Sequence, residues 1–318
     1  MVVDIKDALK KLLVHNQILG HHHHHINSSH SGKILITIFL NIGITVAQVI
    51  GGLISGSLAL LSDALHNFTD VVSLIISYVA SVFASKDASI QRTFGYKRAE
   101  ILAAFVNAST LVVIAMILIK EAIERFFSPQ HIESDLVIIL SLVAIFGNGF
   151  SVLLLKKDSG KNMNMRSAYL HLLTDMLASV AVLIGGLLMK YYQIYWIDSL
   201  LTLAIAVYLI LMSVDLLKRS YRVLMLFTPS HLNVEDIVSH INNIQGVALL
   251  HHVHVWQLNE DEIHLEAHLD FEDNLKISEF DQVLIEIEDL LKTKYKINHV
   301  TIQPEYNKRD SKDIIVQD

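Results

Sequence analysis

Residues 57–84 read SLALLSDALHNFTDVVSLIISYVASVFA, and this run indicates what kind of protein the chain forms. It is mostly apolar and exceeds the roughly 20 residues that an α-helix needs to cross a hydrocarbon core about 30 Å thick. The whole chain of 318 residues shares this character, since 52% of its residues are hydrophobic and 18% are charged, with a mean hydropathy of +0.45. Soluble proteins are rarely so apolar, so the sequence predicts an integral membrane protein.

Six apolar runs are read as membrane spans, at residues 33–55, 57–84, 97–127, 132–157, 164–190 and 194–219. Basic residues gather on one side of these spans, and the cytoplasmic loops of membrane proteins are rich in lysine and arginine. The opposite side carries only Lys120, Arg125 and Lys190. The asymmetry predicts that both termini are cytoplasmic, as an even number of crossings requires.

A different pattern begins near residue 229. A helix-like apolar spacing is followed by two alternating segments, LLHHVHVWQL and DEIHLEAHLDF, and then by a second helix and a third strand. The order α-β-β-α-β predicts a small cytoplasmic α+β domain. The predicted domains are a His-rich cytoplasmic tail at 1–32, a six-helix transmembrane domain at 33–222, a cytoplasmic domain at 229–306 and a flexible tail at 307–318.

Two of the apolar runs carry a histidine and an aspartate one helical turn apart, in HNFTD at 66–70 and HLLTD at 171–175. Residues i and i+4 project from one face of a helix. The two spans run in opposite directions with both pairs near their middles, so the pairs lie at one depth. Ionisable groups are costly in a bilayer, and two imidazoles with two carboxylates suit tetrahedral Zn²⁺. We predict a metal site at His66, Asp70, His171 and Asp175; the alternative is a metal-free His–Asp hydrogen bond within each helix.

Composition narrows the other classes of function. The chain has no cysteine, so nitrogen and oxygen must bind any metal. Its net charge of −7, with basic residues scattered, argues against a nucleic-acid partner. A metalloprotease is disfavoured because no HExxH motif occurs and four protein ligands leave no open position for hydrolysis. A channel is disfavoured because it requires weakly bound ions, whereas a membrane metal sensor remains an alternative.

Several separated motifs carry a family resemblance, namely SLALLSDALHNFTD, FGYKRAEIL, NMNMRSAYLHLLTD and the HVHVWQL, HLEAHLDF and HVTIQPE strands. In this order they resemble the cation diffusion facilitator family, in its bacterial zinc-type branch, from about residue 33 to 306. The resemblance implies a homodimeric exporter, not an enzyme, in the bacterial inner membrane. It implies that Zn²⁺ leaves the cytoplasm in exchange for protons, and that the two His–Asp pairs form the transport site.

The resemblance also implies a metal site in the cytoplasmic domain, at His251, His268 and Glu305. Gln303 stands where other members have a further histidine, which leaves fewer strong ligands. Four more histidines are either substitute ligands or ordinary strand residues, namely His252, His254, His264 and His299.

Selectivity and proton exchange are predicted from the ligand types. Histidine at the first position of both pairs favours Zn²⁺, with Co²⁺ or Cd²⁺ as alternatives. Because protons compete with metal for imidazole and carboxylate, we predict that the transport site itself exchanges protons. Asp63, three residues before His66, is interpreted as a polar group near water, with a residue that orients a ligand or lines the exit path as the alternative. The run at 21–25 in GHHHHHINSSH is interpreted as a cytoplasmic metal collector, with an affinity tag as the alternative.

Overall fold

The structure is a computed structural model that describes residues 31–156 and 163–316. The predicted His-rich tail lies almost wholly outside the described residues, as do residues 157–162 and 317–318. The chain divides into two compact units. The membrane unit extends to Phe83 and resumes from Ala103 to Leu217, and the second unit comprises Ala84–Leu102 and the chain from Lys218 onwards.

Six long helices correspond one to one with the predicted spans. Within the described residues, five of them are long and apolar enough to cross a membrane, and the first contributes the apolar segment Phe39–Ser55. The expected class, a helical membrane domain, is confirmed. The helices are α1 (Ser31–Ser55), α2 (Leu58–Ala84), α3 (Ala99–Phe127), α4 (Ser134–Lys156), α5 (Met163–Tyr192) and α6 (Trp196–Leu224).

A tight turn joins α1 to α2. Gly56 in this turn has a φ of +73°, a conformation that glycine adopts without steric cost. Arg125 of α3 donates a hydrogen bond from Nη1 to the Gly56 carbonyl oxygen at 2.7 Å. A Cβ atom on Gly52 would lie 3.1 Å from the Leu61 backbone, so the missing side chain allows α1 and α2 to approach closely. The turn fixes the start of α2, the helix that carries HNFTD.

Asp198, at the start of α6, caps the N-terminus of α2. Its carboxylate is 1% exposed and accepts hydrogen bonds from Ser57 Oγ at 2.5 Å and from the Leu58 amide at 2.7 Å. The Ala59 amide donates a longer bond of 3.3 Å. The first amides of a helix have no intrahelical acceptor, and a negative charge suits this end of the helix dipole. Asp198 therefore attaches α6 to α2 and satisfies otherwise unpaired donors.

The second unit contains the α-β-β-α-β order that the sequence predicts, so this part of the fold class is also confirmed. β1 pairs antiparallel with β2, and β2 pairs parallel with β3, so β1 and β3 are the edge strands. A parallel pair needs a crossover, which the second helix provides. The elements are α7 (Val234–Asn242), β1 (Val247–Gln257), β2 (Ile263–Phe271), α8 (Ile277–Tyr295) and β3 (His299–Glu305).

A hydrophobic core joins the sheet to its two helices. Leu250 and Leu269 from the strands pack with Ile241 of α7 and with Ile287 and Leu291 of α8, all essentially unexposed. The period of two in the strands and the helical spacing in α7 and α8 direct these side chains to one layer. The sheet is therefore a rigid platform for the side chains of its remaining positions.

The residues that follow β3 contact the outer edge of β1. The amides of His252 and Val253 donate hydrogen bonds to the carbonyl oxygens of Asp313 and Ile314, at 3.1 and 2.7 Å. The Ile314 side chain packs against the hydrophobic core. The described part of the tail therefore has partners in the domain, which differs from the expected flexible segment at 307–318. Its charged composition gave no sign of this contact.

We expect Asp198→Ala to lower the stability of the purified protein by about 1–3 kcal/mol, because it leaves buried donors at the start of α2 without an acceptor. The measurement is thermal unfolding in detergent. Asp135→Ala is the matched control, since Asp135 is exposed and pairs with Lys190 at the surface. Equal melting temperatures for the two variants would contradict the capping role.

Candidate metal centres

His66 and Asp70 of α2 meet His171 and Asp175 of α5 inside the membrane unit. His171 Nε2 lies 3.2 Å from Asp70 Oδ2 and 3.5 Å from Asp175 Oδ2. His66 Nε2 lies 3.7 Å from Asp70 Oδ2 and 3.9 Å from Asp175 Oδ1. Each imidazole therefore approaches a carboxylate of the other helix as well as of its own. The structure brings the four predicted residues into one cluster, not into two separate His–Asp pairs.

The geometry of this cluster suits a divalent cation. Ligand atoms of His66, His171 and Asp175 all lie within 4.8 Å of one another, and Asp175 is 2% exposed. A cation with ligands at about 2.0–2.2 Å fits among atoms at that spacing after small side-chain adjustments. Asp70 lies outside that group, but its Oδ2 and Asp175 Oδ2 both approach His171 Nε2, at 3.2 and 3.5 Å. Two carboxylates that share a site favour a proton or a cation between them. The arrangement can therefore bind a metal ion or protons.

Asp63 lies one turn before His66 but belongs to a different set of contacts. It is 2% exposed, and its Oδ2 accepts hydrogen bonds from Gln48 Nε2 at 2.8 Å and from Ser179 Oγ at 3.2 Å. The interpretation of Asp63 as a polar group near water is therefore wrong. The sequence predicts that Asp63 shares a helix face with His66, but it does not reveal that α1 and α5 cover that face.

The register of the small sheet produces a second cluster. His251 of β1 pairs with His268 of β2, and Asp270 of β2 pairs with Glu305 at the end of β3. Glu305 Oε1 lies 3.0 Å from His268 Nδ1, and its Oε2 lies 3.4 Å from His251 Nε2. His251 is fully buried and Glu305 is nearly so. The structure thus brings together the three cytoplasmic ligands that the family resemblance implies.

Two carboxylates that were not predicted from the sequence join this cluster. Asp270 Oδ2 lies 3.4 Å from His251 Nε2, and Asp310 comes from the tail. The ligand atoms of His251, His268, Glu305 and Asp310 all lie within 4.8 Å of one another. Asp270 was detectable, because residues i and i+2 of a strand share one face and His268 precedes it. No sequence pattern predicted Asp310, because its position depends on how the tail folds back.

Three side chains donate hydrogen bonds to the acidic groups of this cluster. Gln303 Nε2 donates to Glu305 Oε1 at 2.8 Å, and Lys308 Nζ donates to the same oxygen at 2.5 Å. Lys312 Nζ lies 2.7 Å from Asp270 Oδ2 and 2.5 Å from Asp310 Oδ1. Gln303 therefore acts in the structure as a donor to a carboxylate and not as a ligand.

These contacts set the protonation states of the cytoplasmic cluster. Burial alone would raise the pKa of Glu305, but hydrogen bonds from Lys308, Gln303 and Lys312 bring that pKa below its ordinary value. Burial lowers the pKa of His268 and outweighs the attraction of Glu305. At neutral pH the carboxylate is thus ionised and the imidazole neutral, which are the forms that bind metal.

The four alternative histidines lie outside the metal-binding set. His264 pairs with His299 in register, their ring centroids 4.3 Å apart, and His264 stacks on Trp256. The ring of His252 lies 4.5 Å from that of His268, and His254 lies beside His252. Over the described ranges, none of the four belongs to a group of three or more His, Asp or Glu residues whose ligand atoms lie within 4.8 Å of one another.

The chain matches two family models that together cover most of its length. Residues 34–225 match the cation efflux transmembrane domain, and residues 229–307 match the cytoplasmic domain of cation efflux proteins. The class is therefore a membrane transporter and not an enzyme. The chain belongs to the cation diffusion facilitator family, as its motifs predicted.

Similar proteins align along most of their own length. The "Cadmium, cobalt and zinc/H(+)-K(+) antiporter" of Bacillus subtilis (strain 168) is 35% identical over 289 residues, which cover 90% of this chain and 92% of the relative. "Zinc transporter ZitB" of Pectobacterium atrosepticum is 36% identical over 294 residues, 92% of this chain and 91% of the relative. "Metal cation efflux system protein CzcD" of Cupriavidus metallidurans is 33% identical over 284 residues, 89% of each chain.

Proposed function

We propose that this protein exports Zn²⁺ from the cytoplasm in exchange for protons, as a homodimer in the bacterial cell membrane. The observation that carries the proposal is the cluster in the membrane unit, where imidazole nitrogens and carboxylate oxygens from two helices lie 3.2 to 3.9 Å apart. Membership of a cation efflux family supports transport of a cation. The names and the bacterial origin of the relatives described above support zinc and the bacterial membrane.

Zn²⁺ as the transported substrate would take one atom from each of His66, Asp70, His171 and Asp175. Two ionised aspartates cancel the charge of a divalent ion, which reduces the cost of moving it into a medium of low dielectric constant. Neutral imidazoles complete a tetrahedral set without changing that balance. Both helices contribute to the set, so a relative shift of α2 and α5 would loosen the site and release the ion.

Protons would leave and enter at the same atoms. Protonating an imidazole or a carboxylate removes a metal ligand, so protons and Zn²⁺ compete for one site. An ordinary imidazole titrates near a pKa of about 6.5, which places this competition close to neutral pH. Protons taken up from outside would displace the ion there and leave to the cytoplasm, where the next Zn²⁺ binds.

The cytoplasmic cluster supports a regulatory Zn²⁺ site at His251, His268 and Glu305. Their ligand atoms come from three different strands, so a bound ion would link β1, β2 and β3. The chemistry of the set fits, since two imidazoles and an ionised carboxylate are ordinary zinc ligands. Zn²⁺ that binds the folded cytoplasmic domain stabilises that domain. Because the folded domain would carry the dimer interface, Zn²⁺ would also favour the dimer.

We expect Asp175→Ala to reduce proton-driven Zn²⁺ flux in proteoliposomes at least about a hundredfold, because it removes the most buried ligand of the set. Zn²⁺ uptake and the accompanying proton movement are measured with two fluorescent reporters. Asp135→Ala, which removes a carboxylate outside the cluster, should transport normally. If Asp175→Ala inserts, folds and transports as fast as this control, the assigned transport site is wrong.

We expect His66→Asp to raise the transport of Cd²⁺ relative to Zn²⁺ several-fold. The change replaces a nitrogen ligand with oxygen and adds negative charge, which relaxes a site suited to the smaller ion. Competition between the two metals in the same vesicles measures the ratio. His131→Asp is the control, because His131 is exposed and lies outside the cluster. An unchanged ratio would argue against His66 as a selectivity residue.

The cytoplasmic domain is expected to promote dimerisation, and Zn²⁺ to strengthen it about tenfold through ligands on separate strands. Mass photometry in detergent, with and without Zn²⁺, gives the monomer–dimer ratio. Truncation after residue 228 should weaken the dimer and remove its response to Zn²⁺. His251→Ala/His268→Ala should remove the response alone, whereas His264→Ala should retain it. A truncated protein that still dimerises in response to Zn²⁺ would refute this assignment.

A further inference from the structure

The tail after β3 crosses the cytoplasmic cluster on a defined path. Backbone hydrogen bonds join the amides of His252 and Val253 to Asp313 and Ile314, and these amides follow His251 directly. Between β3 and this anchor lie Lys308, Asp310 and Lys312, whose side chains all contact cluster residues. The tail therefore lines one side of the cytoplasmic cluster.

Two ammonium groups of the tail lie among the carboxylates. Lys308 Nζ is 2.5 Å from Glu305 Oε1 and 3.3 Å from Asp310 Oδ2. Lys312 Nζ is 2.5 Å from Asp310 Oδ1 and 3.4 Å from Glu305 Oε2, and it also lies 3.1 Å from His251 Nε2. Each ammonium thus contacts the atoms that would bind a metal cation. Their positive charges therefore lie where a metal cation would bind.

The charges balance for an exchange of these ammonium groups against one divalent ion. Asp270, Glu305 and Asp310 contribute three negative charges, and Lys308 and Lys312 contribute two positive ones, so the net charge is −1. Replacing both ammonium groups with one Zn²⁺ leaves the net charge at −1. Compensation matters most for Glu305, which is buried, whereas Asp270 is partly buried and Asp310 is exposed. Glu305 would remain compensated before and after the exchange.

We infer that Asp310 is a metal ligand of the cytoplasmic site, and that Lys308 and Lys312 occupy the place of the metal until it binds. The inference rests on the proposed cytoplasmic Zn²⁺ site. It answers the shortage of ligands that Gln303 creates, because Zn²⁺ prefers four ligands and the strands supply His251, His268 and Glu305. Asp310 belongs to the set of ligand atoms within 4.8 Å of one another, and Asp270 does not.

A consequence follows for the tail itself. A metal bound through Asp310 would fix the tail on β1, three residues before the backbone hydrogen bond that Asp313 accepts from His252. Metal binding would therefore strengthen the backbone contacts between the tail and β1, while the lysine side chains swing outward. If the strands alone bound the metal, metal binding would either leave the contacts between the tail and β1 unchanged or weaken them.

Hydrogen exchange of the full-length protein tests both parts of the inference at this site alone. Mass spectrometry follows peptides covering β1 and β2 over a series of free Zn²⁺ concentrations, and the midpoint gives the local affinity. In the unmodified protein, Zn²⁺ should slow the exchange of the His252 and Val253 amides. Asp310→Asn should weaken the local affinity about tenfold or more, since a charged ligand is lost, and should abolish that slowing.

Matched variants complete the test. Asp313→Asn makes the same chemical change three residues along and should leave the affinity within about twofold. Lys312→Met should tighten Zn²⁺ binding about tenfold by removing the competing charge, whereas Lys292→Met, on the exposed side of α8, should not. Equal midpoints for Asp310→Asn and Asp313→Asn would overturn the ligand assignment. Faster exchange of the His252 and Val253 amides at saturating Zn²⁺ would overturn it too.

Failure of the underlying site would look different. If neither β1 nor β2 responds to Zn²⁺ in the unmodified protein, or if His251→Ala/His268→Ala still responds, the proposed cytoplasmic site falls and the role of Asp310 falls with it. If that double variant loses the response but Lys312→Met binds no tighter than Lys292→Met, the site stands and the competing role of Lys312 is overturned.

Discussion

The structure depends on the compensation of carboxylates that lie away from water. A buried carboxylate is tolerated where donors, a cation or a proton balance it. Asp198 is balanced by a hydroxyl and the first amides of α2, and Asp63 by the neutral donors Gln48 and Ser179. Asp70 and Asp175 have only the two imidazoles of the cluster within ion-pair distance among the residues described. That difference sets the carboxylates of the proposed transport site apart from Asp63 and Asp198.

The same constraint shapes the cytoplasmic domain by other means. Its carboxylates meet lysines of the same chain, so the domain is compensated without any metal. The membrane cluster has no such lysine or arginine partner within the described helices. The exchange of these lysines for a metal ion, as proposed above, would make this cluster responsive to metal concentration.

Regular helices and strands are enough to position most residues of both clusters. In the membrane unit, spacing of one turn on α2 and α5 presents each pair, and the cap from Asp198 fixes where α2 begins. In the small domain, the register of three strands places His251 beside His268 and Asp270 beside Glu305. Both arrangements use regular elements, whose side-chain directions are set by the backbone. The exception is Asp310, which reaches its cluster on a tail attached to an edge strand.

The helices, the order of the small domain and the pairs His66/Asp70 and His171/Asp175 were predictable from the sequence, because hydrophobic length and periodicity are local properties. The prediction of His251, His268 and Glu305 rested on the family resemblance. The folded structure was needed to show that Asp63 is enclosed, that Asp198 caps a helix far away in sequence, and that Asp270, Asp310 and two lysines meet in one cluster. These contacts join residues on different elements, and no local pattern encodes which faces will meet. The tail after β3 is the clearest example. Its charges predict a solvated segment, but in the folded domain its backbone contacts the edge of β1 and its charged side chains contact the cluster.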